Sequence, residues 1–260
     1  AESTDATRNH SKRVLQKLSE YVPYMVGGSA DLAGSAAPPV LSGTPVVGPG
    51  AGDRVDPFAG RNIHFGVREH AMAAITNGIA LDGTFLPYSG TFLIFSDYAR
   101  PAIRLSALME IPTIHIFTHD SIGVGEDGPT HQPVEHLASL RAIPGLVVLR
   151  PADANEVVEA WRVIMHLRHE PAVLILSRQN LPTLDRTRYA PAAGVAQGAY
   201  VLADAVDGKP DVLLLATGSE VSLCIAAYEE LKAAGIAARV VSMPSWELFE
   251  QQERAYKDAV

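Results

Sequence analysis

The string THDSIGVGEDGPTHQP, residues 118–133, decides how this chain is read. It follows Thr113–Thr118, a β-branched run that predicts a strand. In open parallel sheets, ligands gather beyond the carboxyl ends of strands. The string holds His119, Asp120, Glu126, Asp127 and His131 among Gly123, Gly125 and Gly128. Those glycines fit G-x-G-x-x-G, but Glu126 and Asp127 would meet a pyrophosphate with like charge. Pro129 and a second half of the loop stand where a helix N-terminus is needed, so the dinucleotide reading is rejected. His119, Asp120, Asp127 and His131 are suitable metal ligands by type, yet their spacing matches no short metal motif. Glu69-His70 lacks the second histidine of H-E-x-x-H, and no metal site is expected in this chain. Two readings stay open. One is a polar loop with hydrogen-bonded histidines. The other is a sugar and phosphate site, where imidazoles donate to oxygens and Asp accepts from a hydroxyl.

Outward from this loop, strand-like and helical patterns alternate. Upstream, a helix is expected over 7–22 and a short strand near Tyr24–Gly27. The Gly/Pro-rich stretch Gly34–Gly60 reads as mobile surface. Asn62–Phe65, Arg68–Leu81, Thr84–Tyr88 and Phe95–Met109 then read as strand, helix, strand and helix. Downstream, His136–Leu140 begins a helix and Val147–Leu149 is a strand. Pro151-Ala-Asp153 caps a helix running to about Arg168, and Ala172–Leu176 is a buried strand. This alternation predicts an α/β unit over 1–183, a mostly parallel open sheet with helices on both faces. Residues 184–197 read as a linker. Residues 198–260 form a smaller α/β unit with strands at Tyr200–Leu202, Val212–Ala216 and Ala238–Ser242 and a helix over Ser219–Ala234. Three strands in about 65 residues are marginal for an independent domain, and truncation is expected there.

Apolar residues make up 47% and charged residues 19% of the chain, which supports a packed core and argues against global disorder. The net charge of −8 disfavours nucleic acid and anionic membranes as partners. No run is long and apolar enough for a membrane span. The single cysteine, Cys224, lies between apolar neighbours and reads as a buried structural thiol. A reducing, cytoplasmic location fits. The first residues have neither an initiating Met nor a signal-peptide core, so the chain is expected to be a piece of something longer.

Three further segments stand out. Gly66-Val67-Arg68-Glu69-His70 runs from a strand into a first helical turn, where an acid is also expected simply to offset the helix dipole. Phe92, Phe95 and Tyr98 recur every three residues, a spacing more often found in a core than in a cofactor pocket. Gly27-Gly28 suggests close backbone approach, and its surroundings do not match a G-x-S-x-G nucleophile elbow.

Taken together, six strings resemble transketolases: GGSADLAGS (27–35), GVREHAM (66–72), FLIFSDYAR (92–100), THDSIGVGEDGPTHQP (118–133), RPADANEV (150–157) and SRQNLP (177–182). They occur in family order and span the chain. The resemblance implies the pyrimidine-binding central domain of a thiamine diphosphate enzyme, followed by part of the C-terminal domain. The Gly-Asp-Gly segment that serves diphosphate and Mg²⁺ (or Ca²⁺) in the family is not found, so those groups are expected on an absent N-terminal domain. By resemblance, Glu69 would contact N1′ of the pyrimidine and exchange a proton there. Burial favours the protonated carboxyl and a helix N-terminus the carboxylate, and burial is expected to win. Phe92, Phe95 and Tyr98 would form the ring pocket, and Asp31 would support the cofactor region. Arg8, Ser35, His119 and Arg178 would bind the sugar phosphate. Asp127 would accept from a substrate hydroxyl, and His131 would sit near the reacting carbon. The implied reaction moves a two-carbon ketol unit from a ketose phosphate to an aldose phosphate, in the pentose phosphate pathway. The implied assembly is a homodimer, or a hetero-assembly with a chain carrying the diphosphate-binding domain. The isolated chain is expected to be inactive. Dihydroxyacetone synthase, deoxyxylulose phosphate synthase and a fragment that only dimerises are the alternatives.

Overall fold

The computed structural model describes residues 4–34, 41–48, 56 and 58–260. Ser35 and much of the Gly/Pro-rich stretch lie outside the described residues. The larger sheet has six parallel strands: β2 (Met25–Ser29), β3 (Asn62–His64), β4 (Leu86–Phe92), β5 (Ile114–Thr118), β6 (Val147–Leu149) and β7 (Ala172–Leu176). Their order is β3-β2-β4-β5-β7-β6. After β3 the chain crosses back to the other side of β2, so the crevice between the carboxyl ends of β2 and β4 is a topological switch point.

Helices α1 (Thr7–Tyr21), α2 (Glu69–Asp82), α3 (Ser96–Leu108), α4 (His136–Arg141) and α5 (Ala154–Ile164) belong to this unit. Two separate apolar clusters mark the two covered faces. One gathers Leu15, Ile116, Trp161 and Leu174, and the other Ala73, Ile103, Phe117 and Ile175. Ile116 and Phe117, adjacent in β5, fall in different clusters, as strand alternation requires. The Gly27-Gly28 pair has a steric cause. A Cβ at Gly27 would lie 2.1 Å from the Tyr88 carbonyl oxygen, and one at Gly28 1.8 Å from that of Ile63.

The predicted strand at Thr84–Tyr88 lies later in the chain, at Leu86–Phe92. This changes the reading of the aromatic triplet. Phe92 ends β4, Phe95 lies in a 3₁₀ turn (Leu93–Phe95), and Tyr98 is in α3, 63% exposed. Their three-residue spacing is not one helical face.

The chain start is tied to the end of β7. Strand β1 (Thr4–Ala6) pairs antiparallel with β8 (Asn180–Pro182). Just beyond, Thr7 Oγ1 and Ser177 Oγ lie 3.0 Å apart, and the Ser177 N–H donates to Thr7 Oγ1 at 2.7 Å.

The smaller sheet has β9 (Tyr200–Ala203), β10 (Val212–Ala216) and β11 (Ala238–Ser242) in the order β10-β11-β9, with β9 antiparallel to β11. Helix α6 (Glu220–Ala233) follows β10, and α7 (Trp246–Glu250) and α8 (Arg254–Ala259) end the chain. The stretch read as a linker is anchored. Arg186 Nη2 donates to both carboxylate oxygens of Asp153, at 2.9 and 3.0 Å, and Ala192 and Val195 of a 3₁₀ helix are buried. Cys224 is half-buried, its thiol pushed up by burial and by Glu220.

Candidate active site

The carboxyl ends of β2, β4, β5 and β7 bring together most of the sequence candidates. Two residues just past strand ends have positive φ without being glycine: Asp31 after β2 (φ 62°) and His119 after β5 (φ 61°). Such backbone costs about 1–3 kcal/mol and persists where surrounding contacts fix it. Asp31 is exposed and lies two residues past the end of β2, the strand that borders the switch point.

At the end of β4 the aromatic residues form a stack. The Phe92 and His119 rings lie 3.6 Å apart at 27°, and Phe92 and Phe95 5.9 Å apart at 12°. Tyr98 continues the series from Phe95 at 6.3 Å. His131 meets Phe95 edge-on at 5.5 Å. His119 Nδ1 lies 2.9 Å from Thr118 Oγ1. Burial first, then Arg8, hold its imidazole down to about 4, so the ring is neutral near pH 7.

Glu69 is the first residue of α2 and only 8% exposed. Among the described residues its carboxylate has no hydrogen-bond partner. An acid with little exposure and no hydrogen-bond partner within the chain is open to one from outside it.

The cations come from opposite ends of the larger unit. The Thr7–Ser177 clamp sets Arg8 and Arg178, each one residue further on, close enough for their charges to oppose one another. The Arg8 guanidinium is lowered by burial first and by Arg178 next, with Asp5 and Asp127 acting the other way. Arg178, Arg8, Asp127 and His131 all act on His119. Arg178 lies over the backbone of Gly125, where a Cβ would come 3.4 Å from its Nη1. Cations held together against repulsion suit an anion, and paired guanidiniums suit a phosphate.

Asp120 has a different place from its neighbours. Its carboxylate is buried against Arg150 and does not face the Arg8–His119–Arg178 group. Among the described residues, the group with donor atoms within 4.8 Å of one another is Asp97, Glu135 and His136, none of them a ligand weighed from the sequence. There Asp97 is already bound by Arg100 and by His136 Nε2, each at 2.9 Å. A cavity of about 510 Å³ lies at the other, amino-terminal end of the sheet, lined by Tyr24, Leu86, Ile114, Met165 and Arg168. It contains none of the candidates.

A model of the transketolase pyrimidine-binding domain matches residues 3–183, and one of the transketolase-like C-terminal domain matches residues 198–260. The chain belongs to the transketolase family. It is 52% identical to a transketolase of Geobacillus stearothermophilus over 98% of its own length and 37% of that relative's. It is 55% identical to one of Mycobacterium tuberculosis, again covering 98% and 37%. It therefore spans little more than a third of the curated transketolases it matches. A transketolase of Pichia stipitis, solved with sedoheptulose 7-phosphate, superposes with a TM-score of 0.92 at 46% identity, over 100% of this chain and 38% of that one. A split-gene transketolase described as an inactive beta4 tetramer has a TM-score of 0.71 at 25% identity, over 94% of this chain and 73% of that one.

Sequence reasoning gave RPADANEV a helix cap, which Asp153 provides by accepting from the Glu156 N–H at 2.9 Å, but no role between the units. In this transketolase-family fold it joins the two units. Arg150 bonds Thr217 O, Ser219 Oγ and Glu220 of the smaller unit. Glu156, wholly buried, accepts from Tyr200 Oη at 2.8 Å and Ser242 Oγ at 2.6 Å. The available signal was three ionisable residues at i, i+3 and i+6 across a helix start, which is also what an N-terminal cap looks like.

Proposed function

We propose that this chain provides the aminopyrimidine and sugar-phosphate sites of a thiamine diphosphate-dependent transketolase. The reaction moves a two-carbon ketol unit from a ketose phosphate to an aldose phosphate. The observation that carries this reading is the juxtaposition, along one sheet edge, of an aromatic stack and a set of opposed guanidiniums. The partnerless Glu69 carboxylate adds a residue suited to the cofactor ring. When bound, thiamine diphosphate supplies the nucleophilic carbon and the electron sink.

The chain's residues position and protonate. Glu69 holds and returns a proton at N1′ of the pyrimidine. Phe92, Phe95 and Tyr98 pack the ring, and Asp31 supports the cofactor region. Arg8, Ser35, His119 and Arg178 hold the substrate phosphate. The neutral His119, with Nδ1 turned to Thr118, uses Nε2 for this. Asp127 accepts from a substrate hydroxyl, and His131 stands near the reacting carbon. Mg²⁺ (or Ca²⁺) and the diphosphate are held by a domain outside these residues.

That domain would also cover the site. Val67, Ile122 and Val134 are 74%, 89% and 83% exposed, an apolar fringe suited to another chain. The name of the split-gene relative supports assembly with a separate diphosphate-binding chain, and a homodimer of a longer polypeptide has the same contacts. The same reading divides the chain into 1–183, a linker at 184–197, and 198–260. It also makes the isolated chain inactive and places the enzyme in the cytoplasm, in the pentose phosphate pathway.

The test is Glu69→Ala in a form that carries the diphosphate-binding domain. Ketol transfer from a ketose phosphate to an aldose phosphate should be abolished while the fold is retained. Near-parental turnover would sink the assignment, and activity on pyruvate would favour deoxyxylulose phosphate synthase.

A further inference from the structure

We infer that Arg150 is a positioning residue for the substrate-phosphate site: through Asp120 it fixes His119, and it does so only while docked into the smaller unit. The inference rests on the proposed role of His119. Arg150 directly follows β6 and is 4% exposed. Its Nε donates to Asp120 Oδ2 at 2.9 Å, and its Nη2 lies 2.7 Å from the same oxygen. On the other side Nη1 donates to the Thr217 carbonyl at 2.8 Å, Nη2 to Ser219 Oγ at 3.0 Å, and both to the Glu220 carboxylate. The fork's five N–H groups are thus divided between the loop after β5 and the smaller unit.

The backbone repeats the link. The Arg150 N–H donates to the Pro244 carbonyl at 2.9 Å, and the Gly218 N–H donates to the Arg150 carbonyl at 3.1 Å. Gly218 has φ 58°, and a Cβ there would fall 2.7 Å from Arg150 Nε. The smaller unit therefore presents a notch shaped to this guanidinium.

Asp120 is adjacent to His119 in sequence, and His119 has the left-handed backbone. A non-glycine residue in that conformation persists where the surrounding contacts over-determine it. On one side the His119 ring lies on Phe92 and bonds Thr118. On the other, the only hydrogen-bond partner of the Asp120 carboxylate among the described residues is Arg150. Releasing Asp120 frees His119 to return to negative φ, which swings the imidazole off Phe92 and away from Arg8 and Arg178. Lysine in place of Arg150 keeps the charge, but a single ammonium cannot span Asp120 and the Thr217–Glu220 turn.

The experiment uses the 260-residue chain and side-chain NMR of its histidines. In the parent, the His119 ring protons carry an upfield ring-current shift from Phe92. Arg150→Lys, Asp120→Asn and Gly218→Ala should each abolish that shift. The resonances of His115 should stay put, because that buried ring is held in β5 by Ser89 and Thr113 and touches none of these groups. Ribose 5-phosphate affinity should fall in parallel, by roughly tenfold. An unchanged His119 shift in Asp120→Asn and Gly218→Ala would overturn the inference, whatever Arg150→Lys does to folding. If the parent binds no ribose 5-phosphate, the phosphate-site reading fails. The ring-current arm still decides whether Arg150 positions His119.

Discussion

Strands β5 and β10 are both five-residue blocks of their parallel pairings, Ile-His-Ile-Phe-Thr and Val-Leu-Leu-Leu-Ala, and the more polar one is the more buried. Every residue of β5 is buried, whereas Val212, Leu213 and Leu215 of β10 are 37%, 53% and 56% exposed. Composition predicts the reverse. The difference is in neighbours: β5 has a strand on each side and helices on both faces, while β10 is an edge paired to β11. Central placement lets β5 bury His115, because Ser89 and Thr113 stand within hydrogen-bond reach of its two ring nitrogens. The smaller unit joins the larger through one buried apolar cluster, which runs from Val157 and Ala160 of α5 to Leu202 and Val240, and through polar anchors at Arg150 and Glu156 set into the same junction; the substrate loop is tied to those anchors.

The largest expected effect tests that last point. Glu156→Ala leaves Tyr200 Oη, Ser242 Oγ and the Ala152 N–H without their shared acceptor in a dry interface. Unsatisfied buried donors are costly, and the loss should be about 3–5 kcal/mol in urea denaturation. Burial first and Asp153 next push the folded carboxyl of Glu156 up. Its contribution to stability is therefore fully present at pH below the ordinary Glu range and is lost as pH rises through the folded value. Glu156→Gln should remove that pH dependence. A small, pH-independent change in both variants would mean that apolar contact, not this network, joins the units.

A second test separates β5 from the rest of the molecule. His115 is held down to about 4 by burial, and His119 to about 4 by burial and Arg8. Unfolding lets both return towards about 6.5 and take up protons. Stability should then be complete above pH 6.5 and fall between 6.5 and 4, by up to about 1.4 kcal/mol per pH unit for each ring. His119→Gln should remove about half of that slope. An unchanged slope would show that His119 is not held neutral in the folded chain.

Much of the larger unit was legible because its strands are short apolar blocks between recognisable helices, a pattern that survives without knowing the neighbours. The site loop was legible from its histidines, acids and glycines together with the resemblance. What stayed hidden was pairing at a distance. Nothing in the spacing of Thr7 and Ser177 says that they meet, yet this contact sets Arg8 beside Arg178. Asp120 could not be told from His119 or Asp127 as a site residue, because its orientation depends on Arg150, thirty positions on. The aromatic triplet was misplaced because β4 extends to Phe92, four residues beyond the predicted end, replacing a helical face with a strand end, a turn and a helix.

The smallest expected effect bears most directly on the opening contrast. Leu215→Ala and Ile116→Ala both shorten an apolar side chain at the middle or near the end of a parallel strand. Ile116 is fully buried and packs with Leu174 and Trp161, so truncation leaves a cavity worth about 2–5 kcal/mol. Leu215 already has more than half of its surface in water, and truncation removes little burial. Its cost in this chain should stay within about 0.5 kcal/mol, as at an ordinary surface position. A loss at Leu215 comparable to that at Ile116 would show that β10 is covered in solution by another polypeptide, and that loss should then grow with protein concentration if the cover is a second copy.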